Sequence, residues 1–183
     1  MKYILLLLLC ISCAMSGNDY PEHWWEPISK QDLKWWEVSP DSAASGEVVL
    51  SKRNELGLLS NFASTPFILD GIRYASVEGL WQSMKYPEDK NDPRYNAYKW
   101  PYKRGEVERL SAHTAKKAGT FGSKVMKKLK IDWVSYRGKR FKYRTKDKGE
   151  HYHIILKAMR AKLAQNADVK KVLLSTGCLL YTS

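Results

Sequence analysis

SNFASTPFILDGIRYASVEGLWQSMKY, residues 60–86, is the stretch that decides the fold. Asp70-Gly71 separates the apolar runs Pro66-Phe67-Ile68-Leu69 and Ile72-Arg73-Tyr74. Asp-Gly supplies the positive backbone angles of a two-residue turn, so a β-hairpin is expected there. Ser76 is placed to accept from the first free N–H groups of a helix that runs through Leu80, Trp81 and Met84. Pro87 ends it, because proline disfavours helical backbone in the residue before it.

Working outward, Glu47 to Ser51 reads as a strand, and Leu56 to Phe62 as a loop. Asn91 to Gly105 is polar, aromatic and irregular. Glu106 to Ala118 and Lys124 to Leu129 read as helices broken at Gly119 and Gly122. Residues 137–146 alternate, with Lys142, Arg144 and Lys146 on one side and Phe141, Tyr143 and Thr145 on the other. That is a period-two strand with one cationic face. Glu150 to Asn166 carries Ile154, Ile155, Ala158, Met159 and Leu163 near helical spacing, and a last helix starts over Val169 to Leu174. Strands and helices without βαβ alternation predict an α+β class, a single mainly helical domain with a small β-hairpin or sheet.

The start of the chain is set apart from that domain. Lys2, the apolar run Ile4 to Ile11 and the small residues Ser12, Ala14, Ser16 and Gly17 read as a signal peptide over residues 1–16, hence export to a periplasmic or extracellular space. The run is too short to span a bilayer. Ile11-Ser12-Cys13 resembles a lipoprotein box, in which Cys13 would be lipidated. Residues 17–46 form a Trp-rich lead-in with two related motifs, His23-Trp24-Trp25-Glu26 and Lys34-Trp35-Trp36-Glu37, expected to pin an arm to the domain over 47–177. Residues 178–183 read as a non-native tail. Three cysteines, two of them in the signal region, make no disulfide framework, and Cys178 is expected to be the one thiol of the body.

The formal net charge is +12. Trp100 to Lys171 carries 21 Lys and Arg against 6 Asp and Glu. A segment this basic draws phosphates, nucleic acid or an anionic surface by long-range attraction, although charge runs are also ordinary solvated surface.

On a helix beginning at Ser76, Glu78, Gln82 and Lys85 fall at i, i+4 and i+7, so one face offers a carboxylate, an amide and an ammonium. A carboxylate in the first turn is favoured in its ionised form by the helix dipole. Such a group suits orienting water or stabilising a developing cation. The same spacing also fits routine capping by Glu78, a surface Lys85 and a turn-forming Asn61. His151-x-His153 puts two imidazoles on different helix faces, which suits a satisfied or exposed pair better than a metal site.

Leu59-Ser60-Asn61-Phe62, Pro66-Phe67, Asp70-Gly71, Tyr74 and Ser76 to Tyr86, in that order, resemble the NADAR family, also met as the YbiA-like proteins. Asp132-Trp133 resembles that family's Trp-bearing segment, and Lys162-Leu163 to Gly177 resembles its closing helices. The likeness covers roughly residues 47–177. It implies an N-glycosidase acting on an ADP-ribosyl or ribosyl-base substrate, such as ADP-ribose on guanine. It implies Glu78 and Trp133 as the catalytic pair, Glu78 as the essential carboxylate and Trp133 as a ring stacking on ligand. Ser60, Asn61, Phe62, Gln82 and Lys85 would line the pocket, and neither cofactor nor metal would be needed. Two departures stand out. Gly79 replaces a larger residue, often His, and the family's segment beyond Thr176-Gly177 is missing, so the chain reads as truncated and catalytically incomplete. Two other functions fit the same residues: a module that binds ADP-ribose or NAD-like ligands without cleaving them, and a basic nucleic-acid-binding protein using Arg137 to Lys148.

Overall fold

The computed structural model describes residues 20–182. The signal peptide expected over 1–16, with Cys13, lies outside them. No helix among the described residues is long and apolar enough to cross a membrane. The described residues pack as two compact units, one from residues 20–57 and 172–182, the other from residues 58–171.

In the first unit, β1 (Glu47–Val49) pairs in parallel with β6 (Leu180–Thr182), so the segment read as a non-native tail takes part in a sheet. Trp24 is buried, stacks on Tyr20, and its indole N–H donates to Glu55 Oε1 at 2.7 Å. Trp25 donates to the Glu47 carbonyl at 3.0 Å. The second motif does not repeat this anchoring: Trp35 is 96% exposed, and Trp36 lies on the surface beneath the Lys52 ammonium.

The second unit has an α+β composition, as expected. The hairpin β2 (Phe67–Leu69) and β3 (Ile72–Tyr74) pairs Leu69 with Ile72. Asp70 and Gly71 both take positive φ, 50° and 81°, which a two-residue turn of this kind requires. Helix α1 (Val77–Ser83) follows, then α2 (Arg104–Glu108), α3 (Ala112–Lys128), the hairpin β4 (Trp133–Tyr136) and β5 (Lys139–Lys142), and α4 (Glu150–Gln165). Helix α5 (Ala167–Ser175) leads out of it. The core gathers Phe67 and Tyr74 of the first hairpin, Leu80 and Met84, Val134 of β4 and Ile154 of α4. Phe141 and Tyr143 turn toward this core, as alternation predicts, while Lys142 and Arg144 stay exposed.

Four boundaries differ from the sequence reading, each for a physical reason. Helix α1 stops at Ser83 rather than at Pro87: Lys85 and Tyr86 bond back to the carbonyls of Gln82 and Ser83, tightening the last turn before the proline. The helix expected from Glu106 is split at 109–111. There the carbonyl of Glu108 accepts from the Ala75 N–H and that of Leu110 from the Ser76 hydroxyl, instead of both continuing a helix. Helix α3 runs unbroken through Gly119 and Gly122. A Cβ on Gly119 would come within 1.7 Å of Gln82 Oε1, and one on Gly122 within 2.9 Å of Lys85 Cβ. These glycines let α1 and α3 approach; they do not end a helix. The strand over 137–146 shortens to Lys139–Lys142, because Arg137 and Gly138, both at positive φ, form the turn of the hairpin.

Candidate functional site

Ser76 organises the start of α1. Its Oγ accepts from the Gly79 N–H at 2.9 Å while its hydroxyl donates to the Leu110 carbonyl at 2.9 Å. The next orphan donor of the helix, the N–H of Glu78, is taken by the carbonyl of Asn61 at 2.9 Å. The loop over residues 59–62 is thereby fixed against the helix end. On its other side, Lys162 of α4 donates to the Ser60 carbonyl at 2.8 Å. Ser60 Oγ turns inward to accept from the Phe62 N–H. The Asn61 carbonyl thus meets the Glu78 backbone, while the Ser60 carbonyl meets Lys162. The Phe62 ring meets the edge of His113 and the Lys116 ammonium instead.

Glu78 is 6% exposed, and its Oε1 accepts from the Gln82 amide at 2.7 Å. The other end of that amide, Oε1, is buried against Gly119 and has no hydrogen-bond partner. Lys85 sits beyond the helix end, donating to Ser123 Oγ at 2.8 Å and to the Gly119 carbonyl at 3.3 Å, with the Tyr143 ring 5.1 Å away. Burial pushes its pKa down; Tyr143 opposes the shift, Arg144 adds to it, and the Glu78 carboxylate opposes it. Lys162 is buried as well, and desolvation lowers it to about 8.

Tyr143 connects this group to a second layer. Its hydroxyl accepts from the Trp81 indole at 3.1 Å, and His151 of α4 stands edge-on to both rings. His151 is buried, its Nε2 has no partner, and burial with the nearby Arg144 and Lys85 lowers it to about 4. The imidazole is neutral at ordinary pH. Arg144 lies over the rings of Trp81 and Tyr143.

Of the residues singled out by sequence, the structure bonds Gln82 to Glu78 on α1, sets Lys85 just past the helix, and holds Asn61 at the helix start with Ser60 next to it. Trp133 is engaged by other partners, the Arg94 and Arg140 guanidinium groups at 4.5 Å and 4.4 Å from its ring. Sequence reasoning missed Tyr143, His151 and Lys162 as members of the cluster. Alternation had turned Tyr143 inward, but nothing local tells a helical Lys162 that its partner is Ser60, or a helical His151 that it will meet Trp81. Among the described residues, no group of three or more His, Cys, Asp and Glu side chains is arranged to hold a metal ion.

Chemically, the cluster offers a buried carboxylate bonded to one amide and close enough to the buried Lys85 ammonium to act on it electrostatically. A fixed carboxylate can offset positive charge that develops on a bound group, and needs no reorganisation to do so.

No protein-family profile and no curated protein matches this chain. Among solved structures it is similar to the NMR structure of the E. coli protein YbiA, at 24% identity and a TM-score of 0.44. That likeness covers 72% of this chain and 62% of the other, so the chain spans less than two thirds of that protein's length.

Proposed function

We propose that the unit over residues 58–171 is an N-glycosidase that hydrolyses an ADP-ribosyl or ribosyl-base substrate, with Glu78 as the essential carboxylate. The observation that carries this reading is the buried Glu78 carboxylate at the start of α1, fixed by Gln82 at 2.7 Å. The resemblance of residues 60–86 to NADAR proteins supplies the reaction class.

In that reaction the bond between the ribose anomeric carbon and the base nitrogen breaks, and its electron pair leaves with the base. Positive charge grows on the sugar, where the fixed carboxylate stabilises it. Water adds to the anomeric carbon and loses a proton, and the leaving nitrogen gains one. The ribosyl product is released, and the base is left unmodified, free or still within its nucleic acid. Lys85 and Lys162 would attract the phosphates of an ADP-ribosyl group.

The test is to incubate the protein with guanine-ADP-ribosylated DNA and follow free ADP-ribose. Release that disappears in Glu78→Gln supports the reading. Release that is equal in the parent and Glu78→Gln overturns it, and saturable ADP-ribose binding with no release moves the function to a binding module.

A further inference from the structure

The end of α4 turns three polar side chains onto one stretch of backbone. Lys162, Gln165 and Asn166 stand at i, i+3 and i+4, which places them on one face of the helix. Lys162 Nζ donates to the Ser60 carbonyl at 2.8 Å, and the Asn166 amide to the Pro66 carbonyl at 3.0 Å. Gln165 takes both polar groups of one residue, accepting from the Ile68 N–H and donating to the Ile68 carbonyl, each at 2.8 Å. The partners lie 97 to 102 residues apart in the chain, so these bonds fix where the segment over residues 60–68 sits and not how it folds locally.

That segment in turn holds the entry to α1. The Asn61 carbonyl accepts from the Glu78 N–H at 2.9 Å, and the Phe62 carbonyl from the Ala112 N–H at 3.0 Å. The carbonyl gripped by Lys162 belongs to the residue directly before Asn61. Lys162 is 4% exposed, and an ammonium taken out of water costs stability that its bonds must offset. A methionine, of similar length and without charge, would fill the same space at no such cost, so packing alone does not account for a lysine there.

We propose that Lys162 is a positioning residue for Glu78, acting through the backbone of Ser60 and Asn61. The proposal rests on the function given above. A carboxylate that must face the anomeric carbon is sensitive to a small shift of the helix that carries it. Lys162 sets the loop that holds the first turn of that helix, while Gln165 and Asn166 hold the far end of the same segment.

The test is residue-by-residue amide hydrogen exchange of the full chain by NMR, beside release of ADP-ribose from guanine-ADP-ribosylated DNA. Lys162→Met keeps the stem and removes the donor. Exchange at the Glu78 N–H should quicken by about tenfold, the loss of one bond from a charged donor. The Leu80 N–H, bonded to the Ser76 carbonyl at 3.2 Å, should exchange as in the parent. The kcat should fall by about tenfold or more and carry the larger share of the loss, with a smaller change in KM. Lys162→Arg, which keeps a donor on a long stem, should restore protection at Glu78 and most of kcat. Parent-like exchange at Glu78 in Lys162→Met overturns the proposal. So does equal quickening at Glu78 and Leu80, the sign of general loosening, and so does a loss confined to KM. Quickened exchange at Glu78 in a protein whose parent releases no ADP-ribose leaves the backbone link standing and removes the enzymatic reading. Release by the parent with unchanged exchange at Glu78 in Lys162→Met does the reverse.

Discussion

The Gln82 side-chain amide donates to Glu78 Oε1 at 2.7 Å, and both residues are buried, at 7% and 6% exposure. Neither side chain can move without the other, because the far end of the amide is wedged against Gly119. The carboxylate therefore keeps one orientation, which a charge-stabilising group needs.

Replacing the amide by a second carboxylate should expose that dependence. In Gln82→Glu two carboxyl groups would share the site, and like charges this close cannot both ionise, so one is pushed upward. The acidic limb of the pH–rate profile for ADP-ribose release should move up by about one pH unit or more. Gln82→Ala should lower kcat by about tenfold with KM nearly unchanged. An unmoved profile and an unchanged kcat would separate Gln82 from the chemistry.

Gly119 and Gln82 should be strongly coupled in stability. In isolation, Gly119→Ala gains about 1 kcal/mol from helix propensity. Against Gln82 the new methyl overpacks, at a cost of about 1–3 kcal/mol. The variant should be destabilised in the parent and become neutral or stabilising in a Gln82→Ala background. Urea unfolding of the four proteins measures the cycle, and additive effects would contradict the close approach of α1 and α3.

His151 should make stability fall in acid. Its folded-state value, about 4, lies below its ordinary value of 6.5, so the unfolded chain binds the proton more readily. The stabilisation is complete above about pH 6.5 and is lost as pH drops toward 4, by roughly 3 kcal/mol at most. Arg144 and Lys85, which face the ring, reinforce the effect. His151→Leu should flatten the fall in Tm between those pH values. The same fall in the variant would place its origin elsewhere.

Arg94 is fully buried and makes three bonds to Asp92, one of them at 2.6 Å, besides bonds to Ser135 Oγ and the Met84 carbonyl. Asp92 is desolvated, which raises its pKa, but the bonds from Arg94 win and hold it below the ordinary carboxylate value. Asp92→Ala would strand a buried cation and should cost about 3–5 kcal/mol. Adding Arg94→Met should restore part of the loss in urea unfolding. A double variant as unstable as the single would show that the pair is held for another reason.

Gly79 is a departure from the resembling family that the fold explains. A Cβ there would stand 2.5 Å from the Leu110 carbonyl, a backbone atom held by Ser76, so no larger residue fits. The sequence alone could register the difference but not its cause.

What the sequence determined by itself is what rests on local chemistry. Asp70-Gly71 sets a turn because both residues accept positive φ, Ser76 caps a helix because its hydroxyl reaches the first-turn N–H groups, and alternation turns Phe141 and Tyr143 inward. Glu78 and Gln82 meet because four residues is one helical turn. The tertiary structure alone decided what depends on distant partners. Glycines that weaken an isolated helix become, at 119 and 122, the points where α3 receives Gln82 of α1 and Lys85 just beyond it. The helix expected from Glu106 divides because the carbonyls of Glu108 and Leu110 find donors at Ala75 and Ser76. Lys162 meets the Ser60 carbonyl and His151 meets Trp81 only in the folded chain, since burial and charge act through space and leave no mark on the neighbouring letters of the sequence.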